Sequence, residues 1–80
     1  MTEASCIQAH DSVVVVEDLH EFSVRAGDIG TVVHVYPEQR AYEVEFVSLT
    51  GLAVGVATLA SHKVRTVHEG EIAHARLLIA

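Results

Sequence analysis

The chain has few of the residues that mark special classes of protein. Its 80 residues include one cysteine, Cys6, one proline and no tryptophan. A single cysteine has no partner in its own chain, so a small protein stabilised by internal disulfides is excluded. Half of the residues are nevertheless hydrophobic, which excludes a disordered chain. The length allows one domain.

Long hydrophobic runs are also missing. No uninterrupted apolar stretch is longer than the four residues of Val13–Val16, whereas a membrane-spanning helix needs ~20. Residues 1–5 lack the basic and apolar regions of a signal peptide. We therefore expect a cytoplasmic protein that does not bind a membrane.

Positive charge is scarce as well. The net charge is −6, and residues 1–48 hold nine acidic residues against two arginines. Nucleic-acid-binding domains usually show a basic face and a high pI, but the pI of this chain is about 5.3. The charge thus favours a protein partner over nucleic acid.

Valine is abundant, with fourteen residues, and β-branched side chains favour strands. Turn residues divide the sequence between short apolar segments, and residues 41–47 alternate most regularly, with Tyr42, Val44 and Phe46 on one face. Five strands at this spacing favour a small closed barrel. The predicted strands are residues 12–17, 28–36, 41–47, 52–58 and 63–67.

The two ends of the chain differ from this pattern. Residues 1–10 show no periodicity and are predicted to be a flexible lead-in. Residues 68–80 contain good helix formers, but their apolar residues also fit a strand, because periodicity does not separate the two over so short a run. We predict a C-terminal extension that is either a short helix or an extra strand.

Residues 24–36, Val-Arg-Ala-Gly-Asp-Ile-Gly-Thr-Val-Val-His-Val-Tyr, carry a family likeness together with residues 13–19 and 42–46. These segments resemble a family of short bacterial proteins of unknown function that look like SH3-like barrels. Through Gly-Asp-x-Gly-x-Val the chain is more distantly similar to KOW-type segments and to the barrel of nitrile hydratase β subunits. The resemblance implies an SH3-like barrel over residues 11–67 and implies no reaction.

No residue pattern predicts catalysis or cofactor binding. The six histidines never fall at a metal-ligand spacing such as His-x-x-x-His, so no metal site is predicted. Glu43 and Glu45 lie two apart because a strand alternates, which is typical of a solvated face. Cys6 would need a neighbouring base to become a reactive thiolate, and His10, four residues later, could supply one only if this segment formed a helical turn, so an inert thiol is predicted. We therefore predict a protein that is not an enzyme and has no cofactor.

The strongest functional indication is an excess of apolar residues. A chain of this length buries only ~60–65% of its unfolded surface, and a five-stranded barrel cannot enclose every apolar side chain of the first strand and the tail. Either the tail packs on its own barrel, or the tail or first strand pairs with another copy. The predicted interface residues are Val13, Val15, Ile72, Leu77, Leu78 and Ile79.

Three functions follow from these observations. The first is a non-enzymatic interaction module that self-associates and binds a protein partner, for example as an accessory or neutralising component of a bacterial two-gene system. The second is a KOW-like nucleic-acid-binding domain, which requires Arg25, Lys63, Arg65 and Arg76 to form one basic surface. The third is a structural domain without a known activity.

Overall fold

Antiparallel strands form most of the structure. The computed structural model describes residues 6–78, in which five strands form one sheet in the order β4-β3-β2-β1-β5. The prediction of a mostly β chain with five strands is confirmed, and every strand begins and ends within two residues of its predicted bounds. The strands are β1 (Ser12–Val15), β2 (Ile29–Val35), β3 (Ala41–Val47), β4 (Ala53–Ala60) and β5 (Val64–Thr66).

Short 3₁₀ turns connect several of the strands. They cover Glu21–Ser23 between β1 and β2, Pro37–Gln39 between β2 and β3, and Ser61–Lys63 between β4 and β5. Pro37 begins the second of these turns, where its fixed φ suits the chain reversal that the sequence predicts. The part of the chain from residue 6 to residue 78 contains no α-helix.

Strand β3 forms the centre of the largest pairing. It bonds to β2 on one edge and to β4 on the other. Tyr42, Val44 and Phe46 are buried, while Glu43 and Glu45 point to the opposite, partly exposed face. The alternation therefore predicted correctly which residues of this strand face the core.

Strand β1 lies between β2 and β5, and both of its faces are covered. Val13 and Val15 are completely buried in the core, and Val14 is buried on the other face. The prediction that Val13 and Val15 belong to an interface needs correction for that reason. A second chain could not reach these side chains without opening the sheet, because they already pack inside their own domain.

The core also includes a residue from the predicted lead-in. Ile7 is buried in the same cluster as Val32 and Val44. The backbone N–H of His10 donates to the carbonyl of Val32 at 2.6 Å, which holds this segment against β2. A lone isoleucine among polar residues has no periodicity, so the sequence did not indicate this packing. Residues 1–5 lie outside the described residues.

The C-terminal extension is neither a helix nor a strand over the residues that the structure describes. Residues 71–78, here called the C-terminal arm, form no regular element. The prediction of a short helix or an extra strand is therefore wrong for the arm. Ion pairs of Glu71 and Arg76, described below, attach the arm to the rest of the domain.

Candidate functional site

An open groove lies between the C-terminal arm and the body of the domain. Its volume is about 470 Å³. One wall is the arm itself, residues 73–78. The other comes from β2, β3, the start of β4, the end of the loop between β1 and β2, and the loop between β3 and β4. The lining is mainly apolar. Its large apolar side chains include Ile29, Phe46, Leu49, Val54, Leu77 and Leu78.

Arg76 fastens the far end of the arm. Its Nε donates to Oδ1 of Asp28 at 3.0 Å, and its Nη2 donates both to Oδ2 of Asp28 and, at 2.8 Å, to the carbonyl of Ser23. Planar guanidinium groups match a carboxylate in this two-pronged geometry. The arm is thus held to a loop that lies about fifty residues earlier in the chain.

Arg65 fastens the near end. Its guanidinium donates to both carboxylate oxygens of Glu71, with the shorter contact at 2.7 Å. Glu71 also accepts the backbone N–H of His68 at 2.6 Å, which closes a tight turn before the arm begins. Gly70 takes a φ of +89° in this turn, a value that glycine adopts without strain.

The loop between β1 and β2 is shaped to receive Arg76. Asp28 Oδ2 accepts the backbone N–H of Arg25 at 2.8 Å, so the carboxylate is oriented by its own loop. Phe22 and Ser23 both have positive φ, at +64° and +58°, which is rare for residues other than glycine. This turn places the ring of Phe22 over Gly55 and leaves the carbonyl of Ser23 available to Arg76.

The electrostatics of Asp28 reflect the same contacts. Partial burial acts to raise the pKa of Asp28, but the hydrogen bonds from Arg76 and from the backbone of Arg25 outweigh it. The pKa of Asp28 is therefore lowered. A charged Asp28 at neutral pH keeps the arm in place.

The attachment of Glu71 predicts a measurable pH dependence. Its pKa falls from the usual 4.5 to about 2, chiefly through the Arg65 hydrogen bond and then through the backbone N–H of His68. Because the pKa is lower in the folded state, this contact stabilises the arm above pH 4.5 and is lost as the pH falls through about 2. An NMR titration of the Glu71 carboxyl carbon is expected to give a pKa of about 2, and a value closer to 4.5 in Arg65→Gln. A wild-type value near 4.5 would contradict the pairing.

Removing the other attachment is expected to release the arm while leaving the sheet folded. In Arg76→Ala, thermolysin should cleave before Leu78, at a bond that does not include residue 76, several-fold faster than in the wild type, because the arm loses its contacts with Asp28 and Ser23. The free energy of unfolding should change by less than about 1 kcal/mol, since the pair remains partly exposed to solvent. Arg40→Ala is the control, because Arg40 pairs with Glu38 at a fully solvated site. Equal cleavage of both variants would show that Arg76 does not hold the arm.

The predicted interface residues fall into three groups. Val13 and Val15 are buried in the core. Ile72 and Leu77 are 91% and 81% exposed, and Leu78 is also exposed. Ile79 lies outside the described residues. Whether these exposed residues form an interface stays a prediction.

The opposite wall of the groove was not predicted. Leu49 lines this wall, Leu52 lies beside it across the turn at Gly51, and both side chains are exposed. Two leucines in a turn that should be polar are the signal that could have drawn attention to this loop. The anchoring pair of Arg76 and Asp28 had no signal, since nothing in the local sequence connects residues so far apart.

The outer face of the sheet carries a polar cluster around Glu43. The hydroxyls of Tyr36 and Thr58 donate to Oε2 of Glu43 at 2.6 and 2.9 Å. These bonds lower the pKa of Glu43, while the bond to Glu43 raises the pKa of Tyr36. A carboxylate that is kept ionised by two hydroxyl donors from neighbouring strand positions is suited to fixing the strands rather than to proton transfer.

Among residues 6–78, no three side chains of His, Cys, Asp or Glu converge in a way that could hold a metal ion. Over the same residues, no helix is long and apolar enough to cross a membrane.

Comparisons with known proteins assign a family. Comparison with curated proteins and with solved structures finds no match. One family model matches residues 9–66, which is most of the chain and includes the whole sheet, while the C-terminal arm lies beyond the matched residues. The predicted resemblance to a family of unknown function is confirmed to this extent. The chain belongs to the family described as Domain of unknown function (DUF4926).

Proposed function

We propose that this domain is a non-enzymatic interaction module that self-associates and binds a protein partner. The observation that carries the proposal is the exposure of large apolar side chains on both walls of the groove. Leu49 and Leu77 are among the most exposed hydrophobic residues of the described chain, and Ile29 and Leu78 are exposed beside them. Exposed apolar patches bordered by polar groups are typical of protein-binding surfaces.

The proposal includes an SH3-like barrel as the framework. Two features support this inference. Strand β1 pairs with both β2 and β5, and β5 follows β4 after a single turn at Ser61–Lys63. Such a framework leaves loops and the arm free to carry the binding surface.

The acidity of the chain indicates what kind of partner fits. A protein of net charge −6 is attracted to a basic surface before any specific contact forms. A nucleic-acid-binding toxin would offer such a surface. We therefore propose an accessory or neutralising role in a bacterial two-gene system as the most specific form of this function.

Nucleic-acid binding is the less favoured alternative. Four of the five cations already pair with carboxylates of the same chain, at contacts of 2.9 Å or less: Arg40, Lys63, Arg65 and Arg76. A phosphate would have to displace these carboxylates. An RNA-binding assay decides the point, because weak binding at low salt that disappears as salt is raised would favour this alternative.

The direct test is a pull-down with the purified protein encoded next to this one in its genome. The full chain should retain that protein, whereas Leu77→Glu and a chain that ends at Val67 should not. Val33→Glu is the matched control, because Val33 is exposed but lies outside the groove. Equal capture by the full chain and the shortened chain would contradict a role for the arm. A chain that captures nothing and stays monomeric in light scattering would leave only a structural role.

A further inference from the structure

The two ends of the sheet are protected very differently. Strand β5 forms one end, has only three residues, and contains Arg65, whose side chain is bound by Glu71 of the arm. Short edge strands with charged residues discourage other strands from pairing with them. The β5 end therefore has the features of a protected edge.

Strand β4 forms the other end and has none of these features. With eight residues, Ala53–Ala60, it is the longest strand among the described residues, and it contains neither proline nor a charged side chain. It pairs with β3 on one edge, and no backbone hydrogen bond within residues 6–78 reaches its other edge. Long uncharged edges of this kind are templates for another strand.

Neighbouring segments leave this edge open. A Cβ added to Gly55 would come within 2.7 Å of the Phe22 ring, so the ring lies on a face of β4. The Phe22 segment forms no hydrogen bond with the backbone N–H and C=O groups on the free edge of β4. Val56, in the middle of the strand, is 47% exposed.

Charge determines which strand fits this edge. Copies of a chain with net charge −6 repel one another. This repulsion is weakest when the surfaces that meet carry no charged side chains. Residues 46–61, which include all of β4, contain no Asp, Glu, Lys or Arg. The nearest acids, Glu43 and Glu45, lie on the next strand. In a pair of copies joined through β4 they would be about 14 Å apart, beyond the ~8 Å screening length at physiological salt.

We infer that β4 pairs antiparallel with β4 of a second copy and joins two five-stranded sheets into one. When two identical strands pair antiparallel, the backbone hydrogen-bonding groups of both free edges are used equally. The two copies are then related by a two-fold axis, which closes the assembly at a dimer. This inference rests on the proposed self-association and names its surface. The groove beneath the arm stays available to the protein partner.

Light scattering across a range of concentrations tests the inference. The full chain should have about twice its monomer mass of 8.6 kDa. Val56→Lys should weaken dimerisation about 100-fold, because it places like charges across the new strand pair. The variant should remain folded, since residue 56 is exposed and faces Glu45 across the β3–β4 pair.

Two control variants isolate the edge. Val33→Lys adds the same charge at a similarly exposed valine, at 42%, on the internal strand β2, and should leave the dimer intact. Val56→Thr keeps a β-branched, uncharged residue at the edge and should also remain dimeric. Hydrogen exchange should show that the outward-facing amides of β4, which are not bonded to β3, are protected in the wild type and exchange rapidly in Val56→Lys.

The outcomes separate this inference from the proposed function. A dimer that survives Val56→Lys but dissociates when the chain ends at Val67 would overturn edge pairing and keep self-association through the arm. A wild-type chain of 8.6 kDa at every concentration would overturn both edge pairing and self-association. Monomeric Val56→Lys with a folded circular dichroism spectrum and intact partner capture is the result that supports the inference.

Discussion

Phe46→Ala is expected to lower the free energy of unfolding by about 3–5 kcal/mol. The Phe46 side chain is buried in the core and also forms part of the groove wall. Truncation removes the contacts of the ring and leaves a cavity that the surrounding strands fill only in part. Folded proteins have free energies of unfolding of roughly 5–15 kcal/mol, so this loss removes a large part of the stability of the domain.

Urea denaturation measures the effect, with Phe22→Ala as the control. Phe22 is also an aromatic ring packed against a strand, but it is exposed, so its loss should cost only about 1 kcal/mol. Phe46→Leu keeps most of the apolar volume and should fold even if Phe46→Ala does not. Similar denaturation midpoints for Phe46→Ala and Phe22→Ala would show that Phe46 is not a core residue.

The strands were predictable because their signals are local. In β3, the alternation of Tyr42, Val44 and Phe46 with Glu43 and Glu45 directly records which face meets the core. Gly27, with a φ of +94°, allows the turn before β2, and Gly30 within β2 leaves room for side chains of β3. Each of these features depends on a few neighbouring residues.

The candidate site was less predictable because it depends on distant contacts. Arg76 meets Asp28, which lies 48 residues earlier, and the residues around Arg76 form no regular element although their pattern fits either a helix or a strand. Ile7 is buried for a similar reason, since the core cluster that it joins is built from side chains of all five strands. A sequence pattern records the periodicity of one element, whereas these contacts join separate elements.

The difference between local patterns and distant contacts also explains which of the excess apolar residues stay exposed. The sequence indicated that a small sheet could not enclose them all, and it assigned the surplus to the first strand and the tail. The structure places Val13 and Val15 inside the core and leaves Leu49, Leu52 and Val56 exposed. Strand β1 lies inside the sheet, whereas Val56 belongs to the strand at its end and the two leucines lie in the turn before that strand.

Gly30→Val is expected to destabilise the domain by about 3 kcal/mol, the upper part of the range for overpacking. Gly30 is in β2 opposite Val13, and a Cβ there would collide with Val44 Cγ1 and would lie 2.8 Å from Phe46 Cε1. It would also lie 3.1 Å from the carbonyl oxygen of Glu45, and this backbone atom cannot move aside without distorting β3. The sheet packs closely here because residue 30 has no side chain.

Thermal unfolding tests this prediction, with Thr31→Val as the control at the next position of the same strand. A change of about 3 kcal/mol should lower the melting temperature by roughly 12–24 °C in a domain of this length. Thr31→Val should change it little, because residue 31 is partly exposed and valine has a similar shape. Gly30→Ala is the smaller step, and its cost should lie between the two because its single methyl group meets the same three atoms. If Gly30→Val melts at the wild-type temperature, β2 and β3 do not approach each other as closely as the packing of Phe46 requires.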